Sequence, residues 1–317
     1  MRIILDGTEY LRISVTDACN LRCSYCMPEG EPKGCPCRQT MKPDEIVEIA
    51  SAAAELGVKK LRITGGEPLV LDGLPELVEK LAAIDGIEDI SLTTNATLLA
   101  PLADRLYQAG IHRINISLDT LDPAKYTQMT RGGKLSDALE GIRAAMQVGM
   151  SPVKLNTVLI GGFNDDEIET LCELTVHYPV ELRFIELMPI GDTAPFGKEA
   201  YLPNSVVLDK LPQLEPIPSK SHSVARLYTL PNAKGRVGLI SPLSNHFCAE
   251  CNRLRLTADG CLKPCLHSAD EISARHLHGE ELKTAILDAV SRKPQMHVAL
   301  SATEHSRSQR NMYRIGG

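Results

Sequence analysis

Tryptophan is absent from the 317-residue sequence, and aromatic residues make up only 4% of it. With so few rings available for base stacking, we do not expect a protein that binds single-stranded nucleic acid. Basic residues are in the minority, with 34 Lys and Arg against 40 Asp and Glu and a net charge of −6. An acidic balance of this kind argues against general binding to nucleic acid or to a membrane surface.

Long apolar runs are missing as well. No stretch approaches the ~20 consecutive apolar residues of a membrane-spanning helix. The N-terminal run MRIILDGTEYLR does not have the layout of a signal peptide, so we expect a cytoplasmic location. The hydrophobic content of 43% is enough for a full core, and the length fits a barrel with an appended module.

Up to about residue 190 the sequence alternates strand-like and helix-like runs, a pattern typical of a parallel sheet. The strand-like runs cover residues 11–15, 60–65, 90–95, 113–119, 153–160 and 182–188. The helix-like runs cover residues 43–57, 74–84, 99–110, 136–149 and 165–178, and several end in Gly, a helix-stop signal. Later residues are richer in loops and short strands, with one or two helices over 270–293. We therefore predict one domain over residues 1–190 and a second region over residues 191–317.

Several of these strands carry polar residues at every second position, which places them on one face. The polar residues are Arg12, Ser14, Thr16, Arg62, Thr64, Thr93, Asn95, Asn115, Ser117, Asp119, Lys154 and Asn156. Strands covered by helices on both faces would be nearly all apolar. We therefore predict an α/β fold of the TIM type, a partial (β/α)6 barrel whose lumen is filled by ligands, with its site at the carboxyl ends of the strands.

Three cysteines, Cys19, Cys23 and Cys26, stand in the run CNLRCSYC with the spacing C-x3-C-x2-C. They are one ligand short of a closed zinc or iron–sulfur site. A four-iron cluster held by three thiolates keeps one iron open, as required for binding and reductively cleaving S-adenosylmethionine. The run resembles the signature of the radical S-adenosylmethionine superfamily. A zinc site completed by Cys35 or Cys37 is the alternative that the residues leave open.

A second triad, Cys248, Cys251 and Cys265, lies in the run FCAECNRLRLTADGCLKPCL. A hairpin that turns at Ala-Asp-Gly would bring Cys265 back beside the C-x2-C pair. Cys261 is a candidate fourth ligand that would close a zinc-ribbon-like site. If Cys261 points away, the triad again suits a cluster with one open iron.

Arg253 and Arg255 would share one face of the strand beside the second triad. Arginine donates paired, charge-assisted hydrogen bonds to phosphate oxygens, and Arg12, Arg62 and Lys154 would extend the same cationic lumen. A cationic island in an acidic protein suggests a small polyanionic substrate such as a nucleoside triphosphate. The Walker A pattern GxxxxGK[ST] is absent from the sequence, so side chains would have to hold the phosphates.

The first triad with its Tyr25, the runs ITGGEPL, TTN, SLD and FCAECNRLRLTADG, and the terminal IGG occur together in this chain. In combination they resemble the GTP 3′,8-cyclase family of molybdenum cofactor biosynthesis over essentially the whole chain. The run GGEP alone would indicate only the superfamily, whereas the second triad and the closing Gly-Gly are more specific. The resemblance implies a C-terminal extension that carries a second [4Fe–4S] cluster on Cys248, Cys251 and Cys265, with the first on Cys19, Cys23 and Cys26.

The resemblance also implies roles for individual residues. S-adenosylmethionine would be bound by Tyr25, Gly66, Ser117 and Met188. GTP would be bound by Arg12, Arg62, Thr93, Lys154, Arg253, Leu254 and Arg255. The catalytic residues would be Arg12, Arg253, Arg255, Gly316 and Gly317, with the glycine tail inserted into the active site.

The implied reaction is the radical cyclisation of GTP to (8S)-3′,8-cyclo-7,8-dihydroguanosine 5′-triphosphate, the first step of molybdopterin biosynthesis. Expected partners are GTP, a low-potential electron donor and the downstream pterin-forming enzyme, with no nucleic acid and no membrane. A homodimer is a further candidate assembly. Ala96 departs from the family pattern, because glycine is usual after TTN, and the loop with Cys35 and Cys37 is an insertion.

Three other functions compete with this interpretation. A peptide-modifying radical S-adenosylmethionine enzyme with an auxiliary cluster would leave the arginine pair unexplained. A non-catalytic electron-transfer or zinc-stabilised protein would need closed four-ligand sites. A ubiquitin-like sulfur carrier is suggested by Gly316-Gly317 alone, but such carriers are far smaller and lack cysteine triads.

Overall fold

The strands of the computed structural model join into one twelve-stranded sheet. The structure describes residues 7–30, 40–191, 196–218, 224–248, 251–296, 300–301 and 304–316. Cys35, Cys37 and Gly317, which the sequence analysis singled out, therefore lie outside the described residues.

The first six strands alternate with helices as the sequence predicts. The strands are β1 (Tyr10–Ser14), β2 (Lys60–Thr64), β3 (Asp89–Thr94), β4 (Arg113–Ser117), β5 (Val153–Leu159) and β6 (Val180–Glu186). The helices are α1 (Pro43–Glu55), α2 (Leu74–Ala82), α3 (Ala103–Ala109), α4 (Pro123–Thr130), α5 (Leu135–Gln147) and α6 (Ile168–His177). Only α4 was not expected, because its eight residues bury just three side chains and so give little periodicity.

The C-terminal region adds strands to both edges of this sheet. It contains α7 (Ser205–Lys210), β7 (Glu215–Ile217), β8 (Arg226–Thr229), β9 (Arg236–Ile240), β10 (Arg253–Leu256), β11 (Cys261–Lys263), β12 (Ile272–Ser273) and α8 (Gly279–Ser291). β10 pairs in parallel with β1, and β9 pairs in parallel with β6. Antiparallel hairpins then continue outward, β11 and β12 on one side and β8 and β7 on the other.

The strand order among the described residues is linear, β12-β11-β10-β1-β2-β3-β4-β5-β6-β9-β8-β7. The sheet is therefore open and mainly parallel, which confirms the prediction of an unclosed barrel. The hairpin predicted around Ala-Asp-Gly is also present, with Arg255 opposite Lys263. The division of the chain at residue 190 stays a prediction, because β9 and β10 share the sheet with the strands before it.

The two faces of the sheet differ sharply in polarity. In β5, Val153, Leu155 and Leu159 are buried in the apolar core under the helices, while Lys154 and Asn156 on the other face are only partly buried. The same alternation puts Leu11 and Ile13 of β1 into the core. The alternation of apolar and polar residues thus gives the sheet one apolar face and one polar face, as the sequence predicts. None of the helices in the described residues has the length and apolar character needed to cross a membrane.

Candidate active site

Both cysteine triads line one cavity on the polar face of the sheet. Most of the residues selected from the sequence line it too. They are Arg12, Cys19, Cys23, Tyr25, Cys26, Arg62, Gly66, Thr93, Ser117, Met188, Cys248, Cys251, Arg253, Arg255 and Cys265. The cavity thus joins the two triads and the cationic side chains into one chemical environment.

The first triad lies in the loop that follows β1, at the carboxyl end of the sheet. The loop folds back on itself, since the amides of Cys26 and Met27 both donate to the Cys23 carbonyl, at 2.9 and 3.0 Å. The amide of Leu21 approaches Cys19 Sγ at 3.4 Å. Burial raises the pKa of Cys19 to about 11 and that of Cys26 to about 12. Cluster binding would therefore have to displace protons from thiols that lie in a dry environment.

Gly66 supports this loop through close backbone packing. Its amide donates to the Thr16 carbonyl at 2.7 Å, and the next amide, of Glu67, donates to the Ala18 carbonyl at 2.8 Å. A Cβ atom at Gly66 would lie 2.4 Å from the Ala18 oxygen and 2.6 Å from the Asp17 oxygen. Only glycine fits here, because the β2 loop presses on the segment that leads directly to the first triad.

Two buried carboxylates brace the loops around the first triad. The Glu67 carboxylate accepts hydrogen bonds from Thr94 Oγ1 at 2.6 Å and from the Asn95 amide at 2.7 Å, which ties the GGEP run to the TTN run. The Tyr25 hydroxyl donates to Asp119 at 2.8 Å. Burial raises the pKa of Glu67 to about 7 and that of Asp119 to about 6, against the hydrogen bonds that favour their charged forms. These roles of Glu67 and Asp119 were not predicted from the sequence.

The second triad meets a different electrostatic environment. Burial raises the pKa of Cys251, but the attraction of Arg253 and Lys293 outweighs it, so the pKa is lowered to about 7. Lys293 Nζ also donates to the Arg253 carbonyl at 2.6 Å. Lys293 follows α8 and reaches the cavity only through the fold, so no sequence pattern predicted it.

Cys261 stands apart from the second triad. It opens β11, opposite Ser273 of β12, and is not among the residues that line the cavity. Burial and the nearby carboxylates of Asp259 and Glu271 raise its pKa, which disfavours a thiolate. The placement of Cys261 therefore does not support it as a fourth ligand of the second triad.

Three arginines stand side by side across adjacent strands. Arg12 of β1 is in register with Arg255 of β10 on one side and with Arg62 of β2 on the other. Burial lowers the pKa of all three. Repulsion from Arg255 and Arg62 lowers the pKa of Arg12 further, and repulsion from Arg253 does the same for Arg255. Like charges placed directly opposite one another destabilise a sheet, so this row is suited to a bound polyanion.

Other polar groups point to a ligand in the same place. Within the part of the chain that the structure describes, Thr93 Oγ1 and Asn156 Oδ1 are buried and have no hydrogen-bond partner. Both residues line the cavity, as does Arg183 of β6, which is in register with Asn156. A buried polar atom without a partner is costly, and a ligand would remove that cost. The alternation in β6 could have revealed Arg183, which was not among the predicted site residues.

The remaining predicted site residues do not line the cavity. Lys154 lies 3.8 Å from Glu181, and burial together with Arg183 lowers its pKa to about 8. The Leu254 side chain is fully buried in the apolar core on the opposite face of β10. The carbonyl of Gly316 accepts a hydrogen bond from Arg255 Nη1 at 2.9 Å, so the tail does reach the arginine row.

Glu186 fixes the segment that leads to Cys248. Its carboxylate accepts hydrogen bonds from the amides of Leu243 and Ser244, at 2.9 and 3.0 Å, and from the Asn204 amide at 3.1 Å. It is 1% exposed. No local sequence signal marks it, because all of its partners come from distant parts of the chain.

The residues present fit iron–sulfur clusters by their donor set. Each triad offers three thiols and no other ligand type, and thiolates are the usual ligands of such clusters. Among the described residues, no group of three or more His, Cys, Asp or Glu side chains forms a ready-made site for a metal ion. The fit therefore rests on the type of ligand and on the shared cavity.

The sequence matches the Radical SAM superfamily over residues 13–175 and Molybdenum Cofactor Synthesis C over residues 180–299. Among solved structures, Streptococcus suis SuiB bound to precursor peptide SuiA has a TM-score of 0.66 at 14% identity, covering 98% of this chain and 71% of that one. This likeness shows the fold alone. Fold, first triad and sequence match together define a radical S-adenosylmethionine protein.

Curated relatives narrow the class further. The GTP 3′,8-cyclase of Alkaliphilus oremlandii (strain OhILAs) is 48% identical over 312 residues, which covers 97% of each chain. That of Peptoclostridium acidaminophilum is 49% identical over 324 residues, covering 99% of this chain and 98% of the relative. The chain therefore belongs to the GTP 3′,8-cyclase family.

Proposed function

We propose that this protein cyclises GTP to (8S)-3′,8-cyclo-7,8-dihydroguanosine 5′-triphosphate, the first step of molybdenum cofactor biosynthesis. The observation that carries the proposal is the row of Arg255, Arg12 and Arg62, which lies in the same cavity as both cysteine triads. The row supplies cationic donors for a triphosphate. The triads supply the thiols for two [4Fe–4S] clusters.

Cys19, Cys23 and Cys26 would hold the first cluster, and Cys248, Cys251 and Cys265 the second. When bound, the first cluster and S-adenosylmethionine would supply a 5′-deoxyadenosyl radical, chemistry that side chains cannot provide. Tyr25, Gly66, Ser117 and Met188 are the proposed S-adenosylmethionine site, and each lines the cavity.

The protein's own residues would bind and orient GTP so that ribose C3′ and guanine C8 can be joined. Arg12, Arg62, Arg253 and Arg255 would neutralise the triphosphate, with Lys154 beyond them and Leu254 contributing only its backbone. The buried, unpartnered Thr93 Oγ1 would donate or accept a hydrogen bond, and Asn156 Oδ1 would accept one. The mainly apolar lining of the cavity would limit water near the reacting atoms.

The tail residues Gly316 and Gly317 complete the proposed catalytic set. The contact of Gly316 with Arg255 supports this role. An electron donor of low potential is required for the reductive cleavage, and a downstream pterin-forming enzyme for the product. A cytoplasmic location is part of the proposal, because cluster-ligating thiols need a reducing compartment. A homodimer stays a prediction.

The test is anaerobic reconstitution with iron and sulfide, followed by incubation with GTP, S-adenosylmethionine and a low-potential reductant. We expect about eight iron atoms per chain, 5′-deoxyadenosine and the cyclised nucleotide by mass spectrometry. Cys23→Ala should abolish 5′-deoxyadenosine formation, whereas Cys172→Ala, a buried cysteine of α6, should not. Stoichiometric zinc without iron, or 5′-deoxyadenosine without any GTP-derived product, would contradict the proposal.

A further inference from the structure

The C-terminal tail, residues 304–316, ends deep on the polar face of the sheet. Tyr313 and Ile315 are 4% and 1% exposed. Gly316 adopts a φ of +76°, and a Cβ atom there would lie 2.4 Å from Thr64 Oγ1 and 3.2 Å from Ser14 Cβ. The tail is thus inserted between strand residues, at a place where no side chain fits.

Holding a chain end in this position requires an anchor, because terminal residues fray unless they are tied down. Arg310, six residues before Gly316, pairs with two carboxylates at once. Its Nε and Nη2 atoms donate to Glu271 at 2.6 Å each, and its Nη1 donates to Asp259 Oδ1 at 2.9 Å. A guanidinium that binds two carboxylates in this way is geometrically well defined.

The two carboxylates are themselves fixed. Asp259 accepts a hydrogen bond from Thr257 Oγ1 at 2.5 Å. Glu271 accepts one from Lys263 Nζ at 3.1 Å, and the Lys263 side chain is fully buried. Arg310 therefore binds to a preorganised acceptor site, which limits the entropy lost when the pair forms.

The two carboxylates that bind Arg310 lie next to strands of the C-terminal hairpin. Asp259 lies in the turn between β10 and β11, and Glu271 directly precedes β12. The same strand β10 presents Arg253 and Arg255 to the cavity. Arg310 thus fastens the tail to the element that carries the second half of the site, although Arg310 does not itself line the cavity.

We propose that Arg310 is a positioning residue: its pairing with Asp259 and Glu271 holds the tail so that the Gly316 carbonyl stays on Arg255. This inference rests on the proposed function for its catalytic consequence. The physical part, the docking of the tail, can be tested without any turnover.

The first experiment measures amide hydrogen exchange by mass spectrometry in the intact protein. Arg310→Gln should raise the exchange rate in peptides that cover residues 311–316 by about tenfold or more, because docking no longer protects them. Asp259→Asn keeps the arginine and should act in the same direction. The matched control is Arg292→Gln, which removes a similarly bidentate pair with Asp288 on the exposed side of α8. Parent-like exchange of the tail in both Arg310→Gln and Asp259→Asn would overturn the inference.

The second experiment measures cyclised product per 5′-deoxyadenosine formed, in full-length protein and in protein that lacks residues 316–317. Arg310→Gln should lower this ratio about tenfold in the full-length chain and have no further effect in the truncated one, because coupled residues are not additive. An equal loss in both backgrounds would mean that Arg310 acts through general stability, and would refute the inference. If the parent makes no cyclised nucleotide, the proposed function fails, while the exchange result still decides the docking.

Discussion

Replacing Gly66 by alanine should dismantle the first triad without unfolding the protein. The added Cβ atom would lie 2.4 Å from the Ala18 oxygen, whereas real Cβ contacts essentially never fall under 3.0 Å. Backbone, and not a flexible side chain, must therefore move. The segment that has to yield is the one directly before Cys19, so the displacement passes straight to a proposed ligand.

The size of the effect follows from what that movement breaks. Two backbone hydrogen bonds join the loops, Gly66 N to Thr16 O at 2.7 Å and Glu67 N to Ala18 O at 2.8 Å. Losing them costs about 1 kcal/mol each, and the overpacking adds about 1–3 kcal/mol. We expect the free energy of unfolding to fall by about 3–5 kcal/mol, most of it located at this loop.

The assay combines iron counting after anaerobic reconstitution, S-adenosylmethionine binding and denaturant unfolding. Iron should fall from about eight to about four atoms per chain, and S-adenosylmethionine binding should be lost. The control is Gly279→Ala, where the new Cβ atom has no neighbour within 4 Å but the φ of +49° is left-handed. It should cost about 1 kcal/mol of stability and leave the iron content intact. Full iron and parent-like S-adenosylmethionine affinity in Gly66→Ala would refute the reasoning.

Three further predictions concern the binding of GTP and the support of the second triad. Arg255→Ala should weaken GTP binding by about 1.5–3 kcal/mol, as for hydrogen bonds to charged groups, and weaken guanosine binding less; equal losses in calorimetry would mean that Arg255 does not contact phosphate. Burial and the neighbouring Arg183 lower the pKa of Lys154 to about 8, so this side chain is charged below that pH and neutral above it. A bound triphosphate would favour the charged form. GTP binding at about pH 8.5 should therefore take up a proton, and affinity should fall as the pH rises further; calorimetry in two buffers of different ionisation enthalpy measures the uptake, which should vanish in Lys154→Met. Glu186→Gln replaces an acceptor of several amides by a group with a donor, so the segment before Cys248 should shift and iron should drop to about four per chain; unchanged iron would show that this carboxylate does not support the second triad.

Local patterning made the first six strands and most of the helices predictable. The run 153–160 was expected as a strand, and β5 spans Val153–Leu159. Its polar and apolar residues alternate, and a strand on a sheet with one apolar and one polar face places every second side chain on the same face. The residues of the arginine row could be assigned to the lumen for the same reason. Ala96, noted as a departure from glycine, indeed takes a left-handed φ of +62°, and it packs against Gly141.

What the sequence could not provide are the contacts between segments far apart along the chain. The parallel pairing of β10 with β1, the carboxylate of Glu186 and the ion pairs of Arg310 all join such segments. No local period encodes a partner of this kind. The close contact of Gly66 with the backbone of Asp17 and Ala18 has the same origin.

The placement of β9 and β10 on opposite edges also sets an order of events during synthesis. Until β9 and β10 have left the ribosome, β1 and β6 are both unpaired edges of the sheet, and an unpaired edge strand can pair with another chain. Tyr10 finds its partner Arg253 only at that late stage. During synthesis, the sheet of the N-terminal part therefore cannot be completed until β9 and β10 are available. We expect the nascent protein to depend on chaperones mainly during this period.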